Sequence, residues 1–160
     1  MYKFLSIICL LLSFSCNHLF YQGDNTVYST PNKFGISYKK ISLQTGDGEL
    51  LQAWKLYNPQ IDPKGTIVHF HGNAQNRTAH YHFVSWLVNY GYNVIVFDYR
   101  GYHDSSGSSS RYGLIKDGLA VVDFTCNNSV KPVFIIAQSL GGAIAIPALA
   151  TLKKHCVCSL

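Results

Sequence analysis

Apolar and polar residues alternate between positions 36 and 45, where Ile36, Tyr38, Ile41 and Leu43 recur with the period of a half-buried strand. Gly46-Asp47-Gly48 is a hairpin signal, and residues 49–57 resume a strand through Leu51, Ala53 or Trp54, and Leu56. The pattern then changes character. Residues 66–70, 94–97 and 133–137 are short, nearly continuous apolar runs, which is how strands buried on both faces read. Between them the period becomes helical. His80, Phe83, Val84, Leu87 and Val88 predict a helix over 77–90, stopped by Gly91. Ser109 or Ser110 caps a second helix with Leu114, Gly118, Val121, Val122 and Thr125 on one face. Residues 140–154 predict a third, kinked at Pro147. This alternation of strand and helix predicts an α/β fold of three layers, α/β/α, with a mostly parallel sheet.

Composition narrows the class. The chain has 160 residues, enough for about one domain, and 48% hydrophobic against 13% charged residues excludes a disordered chain. The formal net charge of +5 arises because Glu49 is the single glutamate, not because lysines and arginines form a stripe. The pairs Lys39-Lys40 and Lys153-Lys154 read as solvated surface, so nucleic acid is not an expected partner.

The N-terminus changes the picture of compartment. Lys3 precedes an apolar run over residues 4–14, followed by Ser15-Cys16, the layout of an export signal. The run is too short to span a bilayer, which takes about 20 apolar residues. Cleavage before Cys16 would leave a cysteine that can carry lipid, although Phe14 and Ser13 depart from the usual lipoprotein pattern. The expected organisation is a signal peptide or lipoprotein signal over 1–16, a polar, turn-rich linker over 17–35, and a partial domain over 36–160. The protein is expected outside the cytoplasm, as a membrane-anchored lipoprotein or as a periplasmic or secreted protein. Cys126, Cys156 and Cys158 lie beyond the signal and lack zinc spacing; export would allow a disulfide from Cys126 to either of the others.

In an open parallel sheet, chemistry gathers at the carboxyl ends of the strands. Three peptides fall there: His69-Phe70-His71-Gly72-Asn73-Ala74, Asp98-Tyr99-Arg100-Gly101-Tyr102 and Ala137-Gln138-Ser139-Leu140-Gly141-Gly142. A serine displayed at a strand-to-helix turn needs small residues two before and two after, and Ala137 and Gly141 provide them around Ser139. The plain alternative is a helix N-cap serine. A nucleophilic serine also requires donors for the oxyanion of its tetrahedral intermediate. The backbone N–H of Leu140, opening a helix, is one candidate. The backbone N–H of Asn73, in the loop His71-Gly72-Asn73, is the other, with Gly72 letting that loop fold close.

These three peptides, in this order and spacing, resemble the α/β-hydrolase superfamily, most closely its esterase-like and serine-aminopeptidase-like branch. The resemblance covers residues 36–160. It implies Ser139 as nucleophile of an acyl-enzyme mechanism on ester or amide bonds, Asn73 and Leu140 as the oxyanion hole, and no metal or organic cofactor. It makes Asp98 and Arg100 structural. His103 stands where the family pattern has a glycine.

The superfamily order is Ser, then Asp or Glu, then His. Beyond Ser139 the sequence has no acid, and its one histidine, His155, falls on the wrong side of the sheet. The chain therefore reads as the N-terminal portion of a hydrolase, or else as a catalytically inactive remnant of one. His71 and His103 lie at the correct sheet edge near Asp98 as possible substitutes, whereas His69 reads as a hydrogen-bonded core residue and His80 and His82 as exposed or semi-buried helix residues. With strand 133–137 left near an edge, the chain alone is expected to be marginally stable or to aggregate.

Overall fold

The computed structural model describes residues 20–152. The predicted signal at 1–16 and the sequence around Cys156 and His155 lie outside the described residues.

Strands β1 (Ser37–Gln44) and β2 (Leu50–Tyr57) form the expected antiparallel hairpin, with Leu43 opposite Leu51. Its turn is closed by side chains. The Thr45 hydroxyl donates to Asp47 at 2.7 Å and accepts from the Glu49 N–H at 3.0 Å. Strands β3 (Gly65–Phe70), β4 (Tyr92–Phe97) and β5 (Val133–Ala137) are mutually parallel, and the sheet order is β1-β2-β4-β3-β5. All six residues of β3 are buried, as its continuous apolar run requires.

Alternate strand residues feed two cores. Val68, Phe70, Ile95 and Phe97 face α2 (Arg111–Asn128) and α3 (Leu140–Ala150), meeting Leu114, Val121, Val122, Ile144 and Ala145. Ile67, Val94 and Val96 face the other way, onto Tyr81, Val84, Leu87 and Val88. These are the three expected layers. Gly118 permits a close crossing of α2 over β3 and α3, since a methyl group there would stand 2.7 Å from the Phe70 ring and 3.2 Å from Ala148. Of the two candidate caps for α2, Ser110 accepts the Gly113 N–H, while the Ser109 hydroxyl donates to the Arg100 carbonyl. Buried Cys126 on α2 is disulfide-bonded, its partner lying outside the described residues.

The segment expected as one helix over 77–90 is broken. Only α1 (Arg77–His80) is α-helical, followed by 3-10 turns at Tyr81–Phe83 and Ser85–Tyr90. Histidine, tyrosine, phenylalanine, valine and tryptophan dominate this stretch, and all are mediocre helix formers, so packing sets its path. Phe83, placed on the buried face by the helical pattern, is 60% exposed as a result. Gly91 does end the segment, in the left-handed conformation at φ 86°. Helix α3 continues through Pro147 but stops at Ala150, short of the expected residue 154.

The turn-rich segment that the sequence presents as a linker is bonded to the domain. Gly23 bridges Gln75, the Tyr28 N–H donates to the Thr78 hydroxyl, and the Ser29 hydroxyl meets Tyr81 and His82. Polar composition reads as solvated, yet here the polar groups bond to the protein. Among the described residues, no helix is long and apolar enough to cross a membrane.

Among the described residues β5 pairs only with β3, leaving its second edge open beside half-exposed Ile136. Open apolar edges template association. The 160-residue chain expressed alone is predicted to self-associate in size-exclusion chromatography with light scattering, and Ile136→Lys to shift it toward monomer. A monodisperse, cooperatively unfolding monomer of the unsubstituted chain contradicts this.

Candidate active site

Ser139 occupies the position before the first turn of α3 but does not cap it. Its backbone is at φ 53°, ψ −117°, and its side chain makes no capping bond. Ser110 shows the contrast. At φ −153°, ψ 155° it holds the ordinary extended cap geometry and accepts the Gly113 N–H at 3.2 Å. A positive φ on a serine costs about 1–3 kcal/mol and persists only where neighbours impose it. Here they do. The Gln138 N–H donates to the Phe70 carbonyl at 2.9 Å, the Gly141 N–H to Gln138 and the Gly142 N–H to Ser139. A Cβ on Gly141 would lie 2.1 Å from the Phe70 oxygen, so only glycine brings α3 this close to β3. Ala137 and Ser139 are solvent-exposed at the carboxyl end of β5, with Gln138 and Leu140 half-buried beside them.

The loop after β3 lies against this turn. A Cβ built on Gly72 would stand 4.0 Å from Ser139 Cβ and 4.0 Å from the Gln138 carbonyl. Gly72 and Ser139 thus approach each other at the carboxyl end of the sheet, with His71, Asn73 and Leu140 as their chain neighbours. Among the described residues, the backbone N–H groups of Asn73 and Leu140 donate to no backbone acceptor. The Asn73 side chain is fully engaged, donating to the Phe20 carbonyl at 2.7 Å and accepting from the Gln22 N–H and the Tyr102 hydroxyl.

The far end of the loop is clamped to β4. Asn76 caps α1, accepting the Thr78 N–H, and the next residue, Arg77, is buried. The Arg77 N–H donates to Asp98 Oδ1 at 2.6 Å, and its guanidinium bonds the other Asp98 oxygen and both oxygens of Asp104. Burial pushes the Asp98 carboxyl up to about 6 against the pull of Arg77, leaving it ionised at neutral pH. Arg100 makes a second such joint, donating from its N–H and Nε to buried Asp117 and from both Nη atoms to Asp47. Asp98 and Arg100 are structural, as their pattern implies. Sequence reasoning missed Arg77, which carries no signal of its own; its partner is 21 residues away. It also missed that Asp98, His103 and Asp104 bring ligand atoms within 4.8 Å of one another, with Arg77 as the cation bonded to both carboxylates.

A family model described as serine aminopeptidase, S33 matches residues 61–159, from the turn before β3 onward. The chain belongs to the serine aminopeptidase S33 family of the α/β-hydrolase superfamily. An uncharacterized protein, YfhR, of Salmonella typhi is 34% identical over 162 aligned positions, covering 96% of this chain and 53% of that protein. Protein bem46 of Schizosaccharomyces pombe is 30% identical, covering 79% of this chain and 44% of its own. Among solved structures, the Pyrococcus furiosus esterase Pf2001 superposes with a TM-score of 0.72 at 27% identity, covering 87% of this chain and 55% of that one. This α/β-hydrolase chain spans about half the length of the curated relatives it matches.

Its histidines are arranged differently from the sequence expectation. His71 is buried and stacked on His80, with Nδ1 2.8 Å from the Gly72 carbonyl and Nε2 turned toward Asp98 at 3.9 Å. Nδ1 is thus committed to the loop backbone, while buried Nε2 has no hydrogen-bond partner among the described residues. His103 takes the left-handed backbone that suits a glycine, at φ 45°, and its Nδ1 lies 2.9 Å from Asp104. His69 is buried as expected, but its Nδ1 has no hydrogen-bond partner. His80 is buried, beyond the exposed or semi-buried position expected, and bonds the Ala74 carbonyl at 2.8 Å. A groove of about 970 Å³ between the β1–β2 turn, α2 and Leu152 lies at the opposite end of α3 from Ser139.

Two predictions follow from this α/β-hydrolase site. Gly141→Ala is expected to destabilise the fold by at least about 3 kcal/mol through the clash with Phe70. Gly142→Ala, with open space at its Cβ, should be neutral or slightly stabilising, because alanine favours a helix by about 0.5–1 kcal/mol over glycine. Urea midpoints of the two variants check this. Burial, reinforced by the His80 charge, lowers His71 to about 3 and His69 to about 4. Both rings are neutral in the fold, so their stabilising contribution is complete above about pH 6.5, the unfolded value. It is lost as the pH falls below that, because the unfolded chain takes up protons the fold refuses. Asp98, raised in the fold, opposes this over part of the window. Net acid sensitivity between pH 7.5 and 5 should therefore shrink in His71→Phe, read from thermal midpoints at the two pH values; an unchanged difference contradicts it.

Proposed function

We propose that this α/β-hydrolase acts on ester or amide bonds through an acyl-enzyme on Ser139. The observation that carries the reading is the Ser139 backbone at φ 53° with a side chain that caps nothing, next to a loop held within contact distance. Strain of this kind at an exposed serine, imposed by Gly141 and the Phe70 carbonyl, serves display of the hydroxyl and not stability. The name of the Pyrococcus furiosus relative, an esterase, agrees with this chemistry.

In the proposed reaction Ser139 Oγ attacks the carbonyl carbon, and its proton passes to a base and then to the leaving alcohol or amine. The oxyanion is held by the Asn73 and Leu140 N–H groups, which contribute most when charge develops in a site poor in water. Water then attacks the acyl-serine, releasing the acid and restoring Oγ–H. Residues 140–152 contain no histidine or acid, and His71 is buried with its Nδ1 on the Gly72 carbonyl, so this reading takes its base from outside the described residues. That same observation favours the second reading, an inactive protein of this fold. Export, and anchoring through the N-terminus, is part of the proposal; the apolar run at residues 4–14 with Cys16 supports it.

Hydrolysis of short-chain p-nitrophenyl esters by the full chain tests the proposal. Ser139→Ala should lower turnover by at least about 10⁴-fold, since loss of a nucleophile removes most of the catalysis, while Ser110→Ala should leave it unchanged. Turnover that survives Ser139→Ala overturns Ser139 as the nucleophile, and no turnover at all favours the inactive reading.

A further inference from the structure

On the reading of Ser139 as nucleophile, we infer that residues 20–30 are a strap that positions the oxyanion loop, with Asn73 acting through its side chain as a positioning residue. The loop has a weak point at Gly72. Without a side chain, Gly72 does little itself to fix the peptide joining it to Asn73, whose N–H is the one the reaction needs pointed at the oxyanion; His71 Nδ1 holds the carbonyl of that peptide at 2.8 Å. That bond holds one side of the peptide, and the Asn73 side needs a holder of its own.

The strap does this at three places. The Asn73 side chain spends both polar atoms there: Nδ2 donates to the Phe20 carbonyl at 2.7 Å, and Oδ1 accepts from the Gln22 N–H at 3.1 Å. Gln75 holds a left-handed backbone at φ 67° and is bridged by Gly23, so the contact falls on the strained residue of the loop. Asn76 Nδ2 donates to the carbonyls of Asp24 at 3.0 Å and Thr26 at 2.9 Å, while its Oδ1 caps α1. The strap is itself located by Tyr102. A Cβ on Gly23 would stand 2.4 Å from the Tyr102 ring, and the Tyr102 hydroxyl donates to Asn73 Oδ1 at 3.0 Å. The strap therefore cannot slide without moving a buried ring that also holds Asn73.

The same loop is fixed at its other end by Arg77 on Asp98. That joint sets where the loop ends. The strap, with the His71 bond to the Gly72 carbonyl, sets how the amide near Ser139 is turned.

The experiment measures the rate at which a fluorophosphonate labels Ser139 in the full chain. The Oγ–P bond forms as P–F breaks, and fluoride and the hydroxyl proton leave. Removing residues 1–19, ahead of the strap, should leave the rate unchanged. Removing 1–29, or Asn73→Ala, should slow labelling about 10- to 100-fold, the scale of a small misplacement of a catalytic group. Combining the two should be no slower than removing 1–29 alone, because both break one connection. If the shortened chain fails to fold, the cycle of Asn73→Ala with Tyr102→Phe replaces it, with the same non-additivity expected at an unchanged thermal midpoint. Labelling of Asn73→Ala at the unsubstituted rate, or effects that multiply, overturns the strap. Absence of Ser139 labelling in the unsubstituted chain overturns the nucleophile reading instead, and the two failures are told apart by that control.

Discussion

The constraint on which the rest of this structure depends is the close approach of Gly141 to the carbonyl of Phe70. A methyl group at that position would lie 2.1 Å from the oxygen, so α3 can approach β3 only with glycine there. The approach has a chain of consequences. It draws the turn from β5 to α3 so tight that Ser139 takes a positive φ, and it removes Ser139 from the capping role its position would otherwise give it. It also sets the Phe70 carbonyl as acceptor for the Gln138 N–H, tying β5 to the end of β3 where the oxyanion loop begins. Backbone packing, and not any single side-chain bond, displays the hydroxyl.

A displayed hydroxyl is useful only beside a loop of fixed shape. Residues 71–76 are held at the far end by buried charge and near the serine by polar contacts with residues 20–30. Burying Arg77 and Asp98 is expensive, and it is tolerated because each is hydrogen-bonded and Asp104 gives the guanidinium a second carboxylate, although its Nε has no partner among the described residues. Removing one partner would leave an unpaired charge in the core, so this joint is rigid. Hydrogen bonds to residues 20–30 are weaker one by one but numerous, and they act on the part of the loop that lies next to Gly72.

Much of this was legible before any coordinates. Element order follows from hydrophobic period, and Ala137-Gln138-Ser139-Leu140-Gly141 shows its tight turn because the sizes of two residues report a backbone distance. Period fails over 77–90, where mediocre helix formers let the packing against Trp54 and Val94 decide the backbone. Pairings across long separations are invisible for a different reason. Arg77 with Asp98, Arg100 with Asp47, and Asn73 with Phe20 and Gln22 join polar residues that look solvated in sequence, since composition reports polarity and not its partner. The turn-rich stretch before β1 misled on the same ground.

The central claim is that the turn at Ser139 and the loop at Asn73 together form a site that bonds and cradles an acyl-like group. An experimental structure of the full chain after reaction with a phosphonate tests it most directly. The account predicts phosphorus bonded to Ser139 Oγ, with the phosphonyl oxygen within about 3 Å of the backbone nitrogens of both Asn73 and Leu140. An unmodified Ser139 with negative φ capping α3, or an adduct whose oxygen points to solvent with the Asn73 N–H turned away, would contradict it.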